Sequence, residues 1–321
     1  MVNYGWKIVW DTARARMTHV ETGKEVELYL DERGTSEEAG YTNFEMLSVV
    51  GPVISYAVDW YSEGGAHPSY GQVYSTIDIS QLNPAGDKDG NVPLIEANLA
   101  ELFGKEAVFR QLAADPSVRA AIRGEFSEIG GGVHAEPNTL EELLEAADGG
   151  CRAFMRDRLI KDFAFSHRVG RRTVAVRIGL SHGCEVMRGE FTELRAIYLR
   201  IPDRLTDDFQ QALEAGLLEY RPFQEAGFDC EKAETPIEYA ICTDDSDARL
   251  AFLDRSIAQW YSLQRQKLEG EEKARLRSDQ RDWIKARNTK CADADRDCLR
   301  MSYIERLRDM GYPHMKELES Q

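Results

Sequence analysis

Six cysteines, six histidines and 56 acidic side chains are the groups in this 321-residue chain with chemistry to offer. The cysteines stand at Cys151, Cys184, Cys230, Cys242, Cys291 and Cys298, an even set with four in the last hundred residues. None forms a Cys-x-x-Cys pair, so the spacing of zinc ribbons and of dithiol redox motifs is absent. Disulfides are the expectation, and with them an oxidising compartment. The histidines, at positions 19, 67, 134, 167, 182 and 314, are scattered. His182 and Cys184 could ligate one metal, but no third ligand has suggestive spacing, and a Cys151–Cys184 disulfide is the stronger reading. That bond would tie a helical region to the loop 181–191 and fix the loop's shape before a partner arrives, lowering the ordering cost of binding. No metal and no cofactor are expected.

Catalysis finds little support in the residue types. A glycosidase needs two carboxylates about 5–10 Å apart across a cleft. The adjacent acids Glu37-Glu38 and Asp244-Asp245 lie in polar stretches that read as solvated loops. His-Glu-x-x-His, a phosphate loop and a dinucleotide fingerprint are all missing. A non-enzyme is therefore expected. His67 stands out for another reason: it sits beside Pro68, Ser69 and Tyr70 just after Gly64-Gly65, on the tip of a loop. There it either donates a hydrogen bond to a partner's carboxylate or caps its own hairpin. Tyr70 and Tyr74 are expected to pack on the sheet.

The elements that must position these groups differ along the chain. Alternating segments rich in aromatic and β-branched residues fall at 6–10, 26–30, 44–50, 53–60 and 72–79. The last two frame the Gly-Gly stretch and predict an antiparallel hairpin with an extended loop over 62–70. Helices are predicted at 93–103, 106–113, 118–124 and 203–216, and from Asn138, a plausible cap with acids in the first turn. Further strands are predicted at 161–165, 173–180 and 194–201. The fold class expected for residues 1–222 is α+β, an antiparallel sheet with helices on one face.

From about residue 228 the pattern becomes helical. Leu250, Leu253, Ile257, Trp260, Tyr261, Gln264 and Leu268 recur at three- and four-residue steps, with Ser246 as a start signal. Trp283, Ile284 and Arg287, then Leu299, Tyr303, Leu307 and Met310, mark two further stripes. This predicts a small all-α domain over 227–311 and a tail over 312–321, with the boundary in 220–227. An 80-residue helical module gains from staples worth about 2–4 kcal/mol each. The four cysteines within it allow three connectivities; local turn closure favours Cys291–Cys298 and Cys230–Cys242.

Charge is just as uneven. The chain carries a net −16, and residues 1–150 alone carry −15. Such a field repels nucleic acid and anionic lipid and favours a cationic partner. The acidic segments 31–38 and 87–89 suit long-range steering. No apolar run reaches the ~20 residues of a membrane span. The first residues carry no secretory leader, so either the sequence starts at a mature end, which is the favoured reading, or the cysteines are reduced in a cytosol.

The helical module resembles the LprI-like lysozyme inhibitor domain. The residues that carry this are Phe228-Asp229-Cys230, Lys232-Ala233, Glu238, Ile241-Cys242, Leu253-Asp254, Tyr261, Gln280, Trp283, Arg287, Cys291, Cys298-Leu299, Tyr303 and Arg306. The resemblance implies an exported bacterial protein that binds lysozyme-type muramidases. Most of these positions read as structural. Trp283 and Tyr261 should fill the core, and Glu238 or Asp254 should neutralise Arg287 or Arg306.

The first module resembles, over about 42–215, the lysozyme-binding extracellular domain of RsiV-type anti-sigma factors. The features are the strand into Gly64-Gly65-Ala66-His67-Pro68, the strand ending in Asp78, Leu102-Phe103 on a helix, and Ile201-Pro202 before the last helix. That resemblance implies that the loops 62–70 and 181–191 approach the enzyme. Its partner-binding residues would be Ser62, Gly64, Gly65, His67, Pro68, Ser69, Tyr70, His182 and Glu185. Together the modules predict a periplasmic inhibitor that occludes the cleft of a lysozyme-like peptidoglycan hydrolase, either host lysozyme or a bacterial toxin met by an immunity protein. The alternative is a non-catalytic envelope module that binds glycan through Trp6, Trp10 and Trp60.

Overall fold

The computed structural model describes residues 1–31, 40–62, 69–123, 136–147, 157–182, 190–194, 196–244 and 249–316, with the backbone alone at 40, 62, 69–70, 180–182 and 190–193. The chain divides into two compact units, Met1–Arg168 with Arg172–Tyr220, and Val169–Arg171 with Arg221–Gln321.

In the first unit, strands β1 (Val2–Asn3), β2 (Trp6–Trp10), β3 (Arg14–His19) and β4 (Glu25–Leu30) form a four-stranded sheet in chain order. Period-2 alternation puts Trp6 and Ile8 of β2 inside and Lys7 and Val9 outside. Strands β5 (Gly40–Val50), β6 (Val53–Ser62) and β7 (Ser69–Asp78) form an antiparallel three-stranded sheet. One face of it, with Phe44, Ile54, Tyr56 and Ile77, shares a core with Trp6, Ile8, Ala15, Met17 and Val26 of the first sheet.

The other face meets a third sheet. Helices α1 (Leu99–Phe103), α2 (Lys105–Leu112), α3 (Pro116–Ile122) and α4 (Leu140–Ala146) precede β8 (Phe163–Val169), β9 (Thr173–His182), β10 (Glu190–Glu193) and β11 (Ile197–Arg200). Then come α5 (Thr206–Glu214) and β12 (Glu219–Arg221). The strand order is β10-β9-β8-β12, with β11 also paired to β9. Phe163, Phe165, Val174, Val176 and Ile178 share a core with residues of the five helices. Ala164, pointing the opposite way, meets Ala57 and Tyr74 of the second sheet. Two buried hydroxyls join these layers. Ser55 and Thr76 hydrogen-bond each other at 2.9 Å; Ser55 accepts from the Phe165 amide at 3.2 Å, and Thr76 donates to the Phe163 carbonyl. Polar side chains are tolerated here because each is satisfied.

This is the expected α+β class, with three antiparallel sheets where one was expected. Strand β3 escaped notice because its buried face carries only Ala15 and Met17. The helix expected over 93–103 is only Leu99–Phe103. Ahead of it the chain lies along the open edge of β7, where the Asp78 amide donates to Ile95 and the Ala97 amide to Thr76. An unpaired strand edge competes for those backbone groups and wins. Asn98 then caps α1, accepting from the Ala100 and Glu101 amides. The cap of α4 is Thr139, not Asn138.

In the second unit, a 3-10 turn (Cys230–Lys232) leads into α6 (Pro236–Thr243), α7 (Leu250–Gln266), α8 (Gly270–Lys290) and α9 (Arg296–Asp309). Helix α6 starts with Pro236 in its first turn and a capping box between Thr235 and Glu238. Ile237, Ile241, Leu250, Leu253, Ile257, Leu299, Tyr303 and Leu307 form the core. The disulfides are Cys230–Cys242 and Cys291–Cys298, with Cα atoms 5.8 and 5.7 Å apart. Ser246 lies outside the described residues. At the start of α7 the wholly buried Asp244 carboxylate accepts from the Leu250 amide at 3.0 Å and pairs with Arg296 at 3.5 Å.

Candidate partner-binding site

The hairpin of β6 and β7 closes on Ser62 opposite Ser69, and the first expected loop runs between them. Gly64, Gly65, His67 and Pro68 lie outside the described residues; Ser62, Ser69 and Tyr70 have backbone positions only. The strands on either side pair rung by rung. Tyr61 opposes both Tyr70 and Tyr41, and the Tyr41 and Tyr61 rings stack at 5.8 Å. Tyr41 stays 58% exposed. On the next rung Trp60 opposes Gly71, and a Cβ at Gly71 would stand 2.7 Å from the indole. Only glycine lets the ring lie across the strand there. Below it, Gln72 donates to Asp59 and the Tyr74 hydroxyl donates to Gln72. Tyr74 is fully buried under the guanidinium of Arg177, 4.8 Å from the ring centroid.

The second expected loop leaves β9 at His182, whose backbone opposes Glu190 of β10. Glu185, Cys184 and Cys151 lie outside the described residues, as does any bond between those cysteines. Strand β7 lies against both β9 and β10, so the two loop-bearing hairpins are neighbours in the fold. Of the tryptophans weighed for glycan contact, Trp6 is core, Trp10 is partly exposed and Trp60 is half-buried.

In the helical unit six of the residues that carry the resemblance converge on one cluster. Arg287 is buried; its Nη1 donates to the Tyr303 hydroxyl at 2.6 Å and lies 4.0 Å from Asp254. Tyr303 passes the bond on, donating to Asp254 Oδ1 at 2.6 Å, while Asp254 Oδ2 accepts from the Gly227 amide at 2.8 Å. Burial, followed by the neighbouring Asp254 charge, raises the Tyr303 phenol well above its ordinary pKa of 10.0. Trp283 stacks edge-on to Tyr303 and faces the Arg287 and Arg306 guanidinium groups at 5.2 and 5.7 Å. Gln280 accepts from Arg306 at 2.9 and 3.2 Å. Gly227 approaches α7 so closely that a Cβ would stand 2.6 Å from that of Ala258.

Asp254 is thus the partner of Arg287, with the Tyr303 hydroxyl between them. Glu238 is spent on the capping box, and Arg306 pairs with Gln280 instead of an acid. Trp283 and Tyr261 are half-buried against the core instead of filling it. Nothing in the spacing marked Tyr303 as the link, because a phenol's role depends on which polar atoms the fold brings to it.

Residues 229–310 match the family model for the lysozyme inhibitor LprI. The LprI match spans about a quarter of the chain. It supports a lysozyme-inhibitor role in general and agrees with the two disulfides, which belong to an oxidising compartment. No curated protein and no solved structure matches the chain. Of the residues that carry the resemblance, Asp254, Gln280, Trp283, Arg287, Tyr303 and Arg306 fall in this cluster, where they join helices α7, α8 and α9. Among the described residues no group of three metal-ligating side chains occurs, and no helix is long and apolar enough to cross a membrane.

Proposed function

We propose that this protein is an exported, non-catalytic inhibitor of a lysozyme-like muramidase and acts by occluding the enzyme's substrate cleft. The LprI match of residues 229–310 carries this reading. The contact is assigned to the first unit, through the loops 62–70 and 181–191. Charge supports the assignment. Residues 1–150 hold almost all of the net negative charge, which favours a basic enzyme. By contrast the largely exposed helix α8 carries seven basic and four acidic side chains and disfavours one. The Tyr41–Tyr61 stack and the Trp60–Gly71 rung fix the strand ends from which the first loop departs. His67 then donates a hydrogen bond to a carboxylate in the cleft. Host lysozyme and a toxin of a competing bacterium are both enzymes of this class; for the toxin the protein serves as an immunity factor.

The test is to mix the full chain with a panel of lysozyme-type muramidases. The expected result is a 1:1 complex by light scattering and loss of cell-wall lysis. His67→Ala with Tyr70→Ala should weaken inhibition at least about tenfold, the scale of one lost interfacial anchor. Absence of any complex at micromolar concentration overturns the proposal.

A further inference from the structure

Helix α8 divides its charge between two flanks. Its inward face carries Gln280, Trp283 and Arg287, which meet α9. Along one flank Lys273, Arg277, Arg281 and Lys285 follow one another at four-residue steps, all of them exposed. At the rise of an α-helix they stand about 6 Å apart, in a row of roughly 18 Å. No acidic side chain shares that sector of the helix. Glu271, Glu272, Asp279 and Asp282 all turn to the other flank at 3.6 residues per turn. None of the four cations in the row makes an ion pair among the described residues. Ile284 lies within the row and is 38% exposed.

Like charges at four-residue spacing destabilise a helix, so the row does not serve the fold. A flank of a helix is convex and encloses no small anion. All four cations are engaged at once only by an extended anionic partner. Ile284 decides which kind. A hydrophilic polyanion gains nothing from an exposed isoleucine, whereas a bilayer holds hydrocarbon just beneath its charged headgroups. We infer that this flank of α8 docks on the surface of an anionic phospholipid bilayer. The four cations lie at headgroup level and Ile284 reaches between the headgroups. Four Lys or Arg side chains near such a surface favour binding roughly a thousandfold. The attraction is short-ranged, since the surface field falls off within a Debye length of about 8 Å in physiological salt. The acidic first unit adds none of it, because the same field repels that unit. The docking concerns the helical unit alone and involves no muramidase.

The test is co-sedimentation of the full chain with phosphatidylcholine vesicles, either pure or with about one-third phosphatidylglycerol, in about 100 mM sodium chloride. The expected result is binding to the mixed vesicles only. Arg277→Gln with Arg281→Gln should weaken it about thirtyfold. Ile284→Ser should weaken it about fivefold. Arg275→Gln with Lys290→Gln makes the same change in net charge on the opposite flank and should alter binding less than about twofold. All these positions are exposed, so the circular-dichroism melt should be retained in each variant. Four outcomes overturn the inference. They are no binding to the mixed vesicles, equal weakening by the two Gln pairs, vesicle binding that Ile284→Ser leaves unchanged, and tighter binding of a single-stranded oligonucleotide or of a second copy of the chain than of vesicles.

Discussion

Tyr303 shows how one hydroxyl decides the state of two charges. Arg287 and Asp254 are 4.0 Å apart, too far for a good direct hydrogen bond, and the phenol between them donates to one and accepts from the other. It can do both only while it keeps its proton. Its raised folded-state pKa means that the stabilisation is complete below the unfolded value of about 10 and is lost as pH rises toward the folded one. Urea unfolding of the full chain between about pH 8 and 11 should therefore show a wild-type stability that falls more steeply than that of Tyr303→Phe. At neutral pH the variant should be about 1–3 kcal/mol less stable, because Arg287 and Asp254 each lose a partner. Equal slopes for both proteins would show that the phenol does not link the charges.

At the scale of elements, the helical unit depends on staples because its longest helix contributes little burial. Along α8 only Arg287 is buried and Trp283 is half-buried, so that helix adds little apolar area to the core for its length. Cys291–Cys298 closes the turn between α8 and α9, and Cys230–Cys242 fastens the 3-10 turn to α6. Replacing either pair by serine should lower stability by about 2–3 kcal/mol, given loops of 7 and 12 residues. A two-transition melt that loses only its helical phase on substitution is the readout; unchanged melting would mean the bonds carry no stability. Both pairings follow from local closure in the sequence, and so does the β6–β7 hairpin from its flanking alternation. The shortened helix at 99–103 did not follow, since the edge of β7 that captures residues 95–97 exists only after the sheet has formed.

For the whole molecule, the unequal charge governs how fast a partner arrives more than how tightly it stays. With −15 over residues 1–150, association with a basic muramidase should slow roughly tenfold as sodium chloride rises from about 20 to 300 mM, because screening shortens the range of the field. The dissociation rate should change far less, since the contacts proposed at the cleft are short-range. Stopped-flow fluorescence checks both; a salt-independent association rate would remove steering from the mechanism.

The sequence by itself determined the properties that depend on local order and on composition. These are the change from β alternation to helical stripes near residue 228, the disulfide closures within short loops, the charge asymmetry, and the signature that matches LprI. Each is encoded within a few turns or strands of chain, where spacing alone fixes geometry. Only the tertiary structure decided which distant groups meet: the Arg287–Tyr303–Asp254 chain, the indole of Trp60 laid over Gly71, and the Ser55–Thr76 hydroxyl pair bonded to the backbone of Phe163 and Phe165. Such encounters depend on sheet register and layer packing, in which a one-residue shift turns every side chain to the other face.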